Sequence, residues 1–374
     1  MWINRIMNYI ELALAGVQKL QPYQPGKPIS ELAREFGLKE SDIIKLASNE
    51  NPLGPSPKAL AAIEKALPEL TLYPDGAGFE LKAALSQKLG VSQEQITLGN
   101  GSSDLIDFAV RSFAGSGDNI VVSQHAFAIY EIIAQICAVD CIKVPAQNYG
   151  HDLDAMAKAV NSRTKVVFIT NPNNPTGTWL THQAVRAFLQ KIPASVIVFL
   201  DEAYCEFVQE NDYANGLELL KEFPNLIVAR TFSKAYGLAA LRVGYGIASA
   251  QIASVLNRVR PPFNVNSLAM TAAAAALNDS TYVQRSIATN TEGLQQLEQG
   301  FDALNIEYIP SVANFMAFKI PASHQASAVF QQLLAKGIIV RPVAGYEMPQ
   351  HLRVSVGTQA QNAAFLAALK AVLA

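Results

Sequence analysis

Five short apolar runs limit what this chain can fold into: NIVVS (119–123), KVVFIT (165–170), SVIVFL (195–200), NLIVA (225–229) and GYGIAS (244–249). They favour β-branched residues, and their hydrophobicity is near-continuous rather than alternating. Strands of that kind need cover on both faces. Helix-like segments, LDAMAKAVNS (153–162) and HQAVRAFLQKI (182–192), lie between them. This order predicts an α/β fold around a mostly parallel central sheet.

The chain has 374 residues, half of them hydrophobic and 16% charged, which is more than one ordinary core accommodates. Residues 1–48 read as an arm containing the Pro-rich stretch LQPYQPGKP, and 49–263 as the large domain. Beyond about residue 270 the sequence turns helical (MTAAAAALND, NTEGLQQLEQGFDALN). Two strand-like pieces follow, near 314–319 and 351–356. A smaller α+β domain, 264–374 with part of the arm, is therefore expected from both termini, with the boundary near RPPFNVNS (260–267).

Lys and Arg number 29 against 31 Asp and Glu, for a net charge of -2 and no basic stripe, which argues against a nucleic-acid partner. The three cysteines, Cys137, Cys141 and Cys205, show neither CxxC nor metal-ligand spacing, so they read as buried thiols of a reducing compartment, and no metal site is expected. The N-terminal apolar stretch is interrupted by Asn8, Tyr9 and Glu11, lacks a cleavage site and is too short to span a bilayer. A soluble cytoplasmic protein is expected.

Open α/β sheets bind ligands at the carboxyl ends of their parallel strands. Three runs end in polar groups: KVVFIT in NPNNPTG, SVIVFL in DEAY, and NLIVA in RTFSK. Asp201 follows a strongly apolar strand. There it either caps the next helix or keeps its charge opposite a cation or strong donor. Tyr204 comes one turn later, and Asn174 offers a donor if its loop is more than a turn. In ITLGNGSSDLIDFAV (96–110) a glycine turn leads into a helix from about Ser102. The N–H groups of Gly101, Ser102 and Ser103 would form an anion site. The rival dinucleotide fingerprint lacks its third glycine, since Asp104 stands there. Ser233 and Arg242 add ligands for an oxyanion. Lys234, at a buried strand edge, calls for an aldehyde. The ligand so described has a phosphate, a basic ring nitrogen, a phenolic oxygen and an aldehyde, and pyridoxal 5'-phosphate has all four.

Together, NPNNPTG, DEAY and SKAYGLAALRVG resemble the fold-type I, class I/II aminotransferases. Further stretches are similar to the subfamily acting on histidinol phosphate: PYQPGKP (22–28), LASNENPLGPSP (46–57), LYPDGAG (72–78), GNGSSDLID (99–107), HAFAIYE (125–131), GIIVRPV and HLRVSVGT. The resemblance implies a fold with a large cofactor domain and a smaller α+β domain. It implies transamination between L-histidinol phosphate and 2-oxoglutarate, giving imidazole acetol phosphate and L-glutamate in histidine biosynthesis. It gives Lys234 the cofactor aldehyde, Asp201 the ring nitrogen, and Tyr204 and Asn174 the phenolic oxygen. Phe127 would stack on the ring, while Gly101, Ser102, Ser103, Ser233 and Arg242 would hold the phosphate.

By the same pattern Tyr73 reaches the phosphate of a neighbouring subunit, which implies a homodimer. Arg353 clamps the substrate α-carboxylate, Arg341 and Tyr23 receive the substrate phosphate or side chain, and Asn49 lies near the same mouth. The chain departs from the pattern at Gly101-Ser102-Ser103-Asp104 and in HAFAIYE, where Pro-Thr-Tyr is common. That leaves open an aromatic amino acid aminotransferase on the same scaffold, and a lyase resembling threonine-phosphate decarboxylase.

Overall fold

The computed structural model describes residues 8–374, so the first seven residues of the N-terminal arm lie outside the described residues. In chain order its strands are β1 (Ile44–Lys45), β2 (Ile96–Gly99), β3 (Asn119–Ser123), β4 (Asp140–Val144), β5 (Thr164–Thr170), β6 (Ile197–Asp201), β7 (Leu226–Thr231) and β8 (Gly244–Ala248). Then come β9 (Tyr308–Ile309), β10 (Phe315–Lys319), β11 (Ile338–Ile339), β12 (Arg341–Pro342) and β13 (His351–Ser355).

Seven of them form the central sheet, in the order β2-β8-β7-β6-β5-β3-β4. Strands β3 to β7 are parallel, whereas β8 runs antiparallel to both β7 and β2. The direction of β8 follows from its connection. Only the loop 232–243 joins it to β7, without the crossover helix that a parallel neighbour uses. Alternate residues of the inner strands enter opposite cores. Val167, Ile169, Val198 and Leu200 face one side, while Val166, Phe168, Ile197 and Phe199 face the other. Burial on both faces is the physical content of the unbroken hydrophobic runs.

The helices start where side chains can cap them. Thr181 accepts the Ala184 N–H to open His182–Leu189, and Asn266 accepts the Ala269 N–H to open Ser267–Leu277. This second helix, SLAMTAAAAAL, is nearly all small and apolar, and it packs on helices Pro57–Ala66 and Phe79–Leu89. Ala269, Ala272, Ala273 and Ala276 lie in the core of the large sheet, which therefore runs past the boundary expected at residue 263. Small side chains let three helices approach closely there.

Helix Ser280–Ala303 then leads away, and its Leu297 and Phe301 join a separate core with Phe318, Leu352 and Phe365. That core is covered by the antiparallel sheet β12-β13-β10-β9. The N-terminal segment joins this smaller unit: β1 pairs in parallel with β11, and Leu32, Ile43 and Ala47 pack on Leu334 and Ile339. Among the described residues, no helix is long and apolar enough to cross a membrane.

Candidate active site

The carboxyl ends of β5, β6 and β7 lie side by side, with Thr170 opposite Asp201 in the register and Asp201 opposite Ala229. Over them opens a cavity of about 300 Å³, a size suited to a small molecule. The large unit sends Ser102, Ser103, Phe127, Asn174, Asp201, Tyr204, Ser233, Lys234 and Arg242 to its wall. The arm and the smaller unit send Tyr23, Asn49, Arg341 and Arg353. Of the residues singled out in the sequence, Gly101 lies just behind this wall and Tyr73 is elsewhere. The Tyr73 ring is 83% exposed and stacks on Phe263 with centroids 4.8 Å apart.

One end of the cavity is built for an anion. Helix Ser102–Phe113 begins there, aiming its free N–H groups and positive dipole end inward. Arg242 lies beside it in a left-handed backbone conformation (φ 55°) and donates through Nη1 to Ser233 Oγ at 3.3 Å. Ser233 Oγ also accepts from Thr231 Oγ1 at 3.0 Å. Gly101 has φ 81°, and a Cβ on it would stand 2.4 Å from Arg242 Nη2. A larger residue would displace the guanidinium, so the glycine serves the arginine as well as the turn.

Asp201 and Lys234 occupy the floor. Asp201 is 3% exposed, and burial pushes its carboxyl up to about 6, against the pull of the Tyr130 hydroxyl and the Ala203 N–H. The Lys234 loop is pinned by Asn51, whose Nδ2 donates to the carbonyl of Ala235 at 3.0 Å and to Ser286 Oγ at 2.7 Å. Lys234 Nζ donates to the Ser48 carbonyl at 3.2 Å. Burial, then the nearby Arg353, lowers its amine from 10.5 to about 8. Tyr204 Oη accepts from Asn49 Nδ2 at 3.0 Å, which leaves the phenol's own proton free to be donated. Burial pushes that phenol up to about 12, so it stays protonated at neutral pH.

The depressed lysine has a consequence for loading. Below about pH 8 the amine is protonated and cannot attack an aldehyde; above it the free base predominates. Capture of pyridoxal 5'-phosphate by the cofactor-free protein should quicken about tenfold per pH unit and level off above pH 8, read by stopped-flow absorbance. A rate still climbing at pH 10 would contradict this. Stability follows the same sign, because the unfolded chain holds the extra proton between about 8 and 10.5, so the cofactor-free protein gains stability as pH rises through that window.

The other end is cationic too. Arg353, on β13, is 5% exposed, donates to Asn174 Oδ1 and to the Ala47 carbonyl, and lies 5.0 Å from the centroid of the Phe315 ring. Its Nε is buried without a partner. Arg341, on β12, donates to the Gln24 carbonyl and stands 5.5 Å over the Tyr23 ring, which in turn meets Phe127 edge-on at 6.4 Å. Asn49, expected near the mouth, lines the cavity but is 1% exposed, engaged with Tyr204 and Ser355.

Several contributors carried no sequence signal of their own. Tyr130 bonds Asp201 Oδ2 at 2.8 Å, and its spacing of three from Phe127 in HAFAIYE, one helical turn, could have suggested a common direction. Thr170 and Thr231 are the last residues of their strands, and position alone could have marked them. Ser48 acts through its backbone carbonyl, which no side-chain pattern reveals.

Among the described residues, Arg242, Arg341 and Arg353 all face this cavity, and none forms an ion pair with a carboxylate. Buried or half-buried cations in that state imply anionic ligands at both ends. A phosphorylated pyridine aldehyde fits the donor set: a helix start, Ser233 and Arg242 for its phosphate, Asp201 for its nitrogen, Tyr204 and Asn174 for its phenolic oxygen, and an amine of lowered proton affinity for its aldehyde. Arg353, which lines the cavity and pairs with no carboxylate, remains for a second anion.

Comparison with known proteins agrees with the geometry. The family described as aminotransferase class I and II matches residues 41–369. Histidinol-phosphate aminotransferase 2 of Pseudomonas fluorescens is 55% identical over 367 residues, covering 98% of this chain and 99% of the relative. The crystal structure of histidinol-phosphate aminotransferase from Sinorhizobium meliloti, in complex with pyridoxal-5'-phosphate, superposes with a TM-score of 0.88 at 30% identity, covering 96% of each chain. A Thermus thermophilus aspartate aminotransferase double mutant shares the fold, with a TM-score of 0.83 at 20% identity over 96% of this chain and 98% of its own.

Proposed function

The chain belongs to the class I and II aminotransferases, and we propose that it moves an amino group between L-histidinol phosphate and 2-oxoglutarate in histidine biosynthesis, with pyridoxal 5'-phosphate as cofactor. The observation that carries the reading is the cavity with two cationic ends on either side of Lys234 and Asp201. One end takes the cofactor phosphate, and the other takes the anionic group of each substrate in turn.

When bound, the cofactor supplies an aldehyde for amines and a protonated ring that draws electrons from the substrate α-carbon. The chain's residues do the rest. Ser233, Arg242 and the amides at Ser102 and Ser103 anchor the phosphate, and Phe127 walls one face of the ring. Asp201 balances the proton on the ring nitrogen. Tyr204, oriented by Asn49, and Asn174, oriented by Arg353, donate to the phenolic oxygen. Lys234 Nζ would take the proton from the amino donor's α-carbon and pass it to the carbon that bore the cofactor's aldehyde, then run the same transfer in reverse onto the α-carbon of the oxo acid, a task for which an amine near 8 is well matched to neutral pH. Arg353 forks onto the α-carboxylate of glutamate. Histidinol phosphate has no such carboxylate, so Arg341 and Tyr23 at the mouth receive its phosphate.

Arg341→Ala tests this assignment. Loss of a charge-assisted contact should lower kcat/KM for histidinol phosphate by about 10–100-fold while leaving phenylalanine, tyrosine and glutamate near wild type. Equal loss with all donors would favour an aromatic amino acid aminotransferase on this scaffold.

The exposed Tyr73, with Leu70, Leu72, Phe79 and Phe263 also exposed, supports the proposal that the enzyme is a homodimer in which Tyr73 completes the neighbouring site. Sedimentation as a monomer at micromolar concentration would contradict it. The three free cysteines and the biosynthetic reaction support a cytoplasmic location. Export of the protein to the periplasm, detected by cell fractionation, would contradict that.

A further inference from the structure

Asp201 lies in the buried floor, and among the described residues neither of its oxygens meets a cation within ion-pair distance. Oδ1 accepts the Ala203 N–H at 3.1 Å, and Oδ2 accepts the Tyr130 hydroxyl at 2.8 Å. A phenol has one proton. If it goes to Asp201, the phenol oxygen must accept from Thr170 Oγ1, which lies 2.9 Å away. Thr170 is fixed in turn: its N–H meets His151 Nε2 at 3.2 Å, so that imidazole is neutral with its proton on Nδ1. Burial agrees, pulling His151 down to about 4. The Tyr130 ring has no room to turn, since it stacks on Phe168 at 4.4 Å and meets Phe127 edge-on at 6.1 Å.

We propose that Tyr130 is a positioning residue for the reaction: oriented by Thr170, it keeps the Asp201 carboxylate charged and aimed at the place of the cofactor's ring nitrogen. The inference rests on the reading of Asp201 as the partner of that nitrogen.

The groups facing Asp201 are few. Glu202 and Tyr204 adjoin it in the chain, Lys234 lies across the cavity, and Tyr130 and Thr170 approach from the helix and strand behind. Glu202 is held by Arg230 and the Gly216 N–H, and it raises the Asp201 carboxyl by less than the Tyr130 hydroxyl and the Ala203 amide lower it. Burial is the largest influence upward, and the Tyr130 hydroxyl is the largest downward, ahead of the Ala203 amide and Lys234. Without that hydroxyl the carboxyl would take a proton nearer neutral pH. A neutral acid no longer balances a protonated ring nitrogen.

The test compares wild type, Tyr130→Phe, Thr170→Val and Asp201→Asn. Cofactor dissociation constants are measured against pH, and the Asp201 carboxyl band is followed by infrared difference spectroscopy in the cofactor-free proteins. Tyr130→Phe keeps the stacked ring, and should weaken cofactor binding roughly tenfold at pH 7. It should also move the carboxyl's titration to higher pH and lower kcat with little change in the glutamate KM. Thr170→Val should shift the titration the same way by less, and it carries the test if Tyr130→Phe does not fold. Weakened binding by Asp201→Asn beside unshifted titrations in Tyr130→Phe and Thr170→Val would overturn the inference alone. Cofactor affinity unchanged by Asp201→Asn would overturn the reading of Asp201, and the inference with it.

Discussion

Lys234→Ala should lower kcat/KM by roughly 10⁴-fold or more and abolish the near-visible absorbance that the cofactor gains on joining the amine. The size of the effect reflects two tasks resting on one atom. In the proposed mechanism Nζ would hold the aldehyde before substrate arrives and move the α-proton afterwards, and the cavity offers no second lysine to replace it. Arg353, the charge that acts most on Lys234, is engaged by Asn174 and the Ala47 carbonyl, and a guanidinium stays protonated in any case. Folding should survive, because the lysine stem lines a cavity and the loop is pinned through the backbone by Asn51. Normal turnover in this variant would refute the assignment.

Arg353→Ala should be the next most damaging change, lowering kcat/KM for glutamate about 10²–10³-fold by removing a two-pronged charge-assisted contact. Arg353→Lys should recover little of this, since an ammonium restores charge but not the fork. The loss for histidinol phosphate should be smaller, because that substrate lacks the carboxylate. A second effect separates this role from a packing defect. Arg353 is the chief charge depressing the Lys234 amine, so its removal should move the pH at which the cofactor is captured upward from about 8. An unchanged capture profile together with full glutamate activity would contradict both parts.

Much of this site was legible before any coordinates. The three strand-end motifs named Asn174, Asp201, Tyr204, Ser233 and Lys234, and the cavity gathers all of them. A group at the end of a fully covered strand has one open direction, so its place can be read from the run before it. Arg341 and Arg353 needed the family resemblance, because their strands belong to another sheet and nothing in their spacing ties them to Lys234. Asn49, named near the mouth, does line the cavity, but its bonds to Tyr204 and Ser355 join distant segments and could not be read from its own stretch. The role proposed for Tyr73 needs a second subunit, about which a single chain's periodicity says nothing.

By itself the sequence determined the layered α/β architecture, because an unbroken apolar run can be satisfied only by cover on both faces. It also determined the chemical kinds of group at the strand ends. Tertiary structure alone decided which of those groups meet. Tyr130 and Asp201 are 71 residues apart, Asn49 and Tyr204 are 155, and Asn174 and Arg353 are 179. It also decided that β8 reverses and that Ser267–Leu277 joins the large core. Burial is a property of each residue and its near neighbours, so it leaves a local pattern. Hydrogen-bond pairing across such distances depends on how distant segments close on one another, and that leaves no trace in any single stretch of chain.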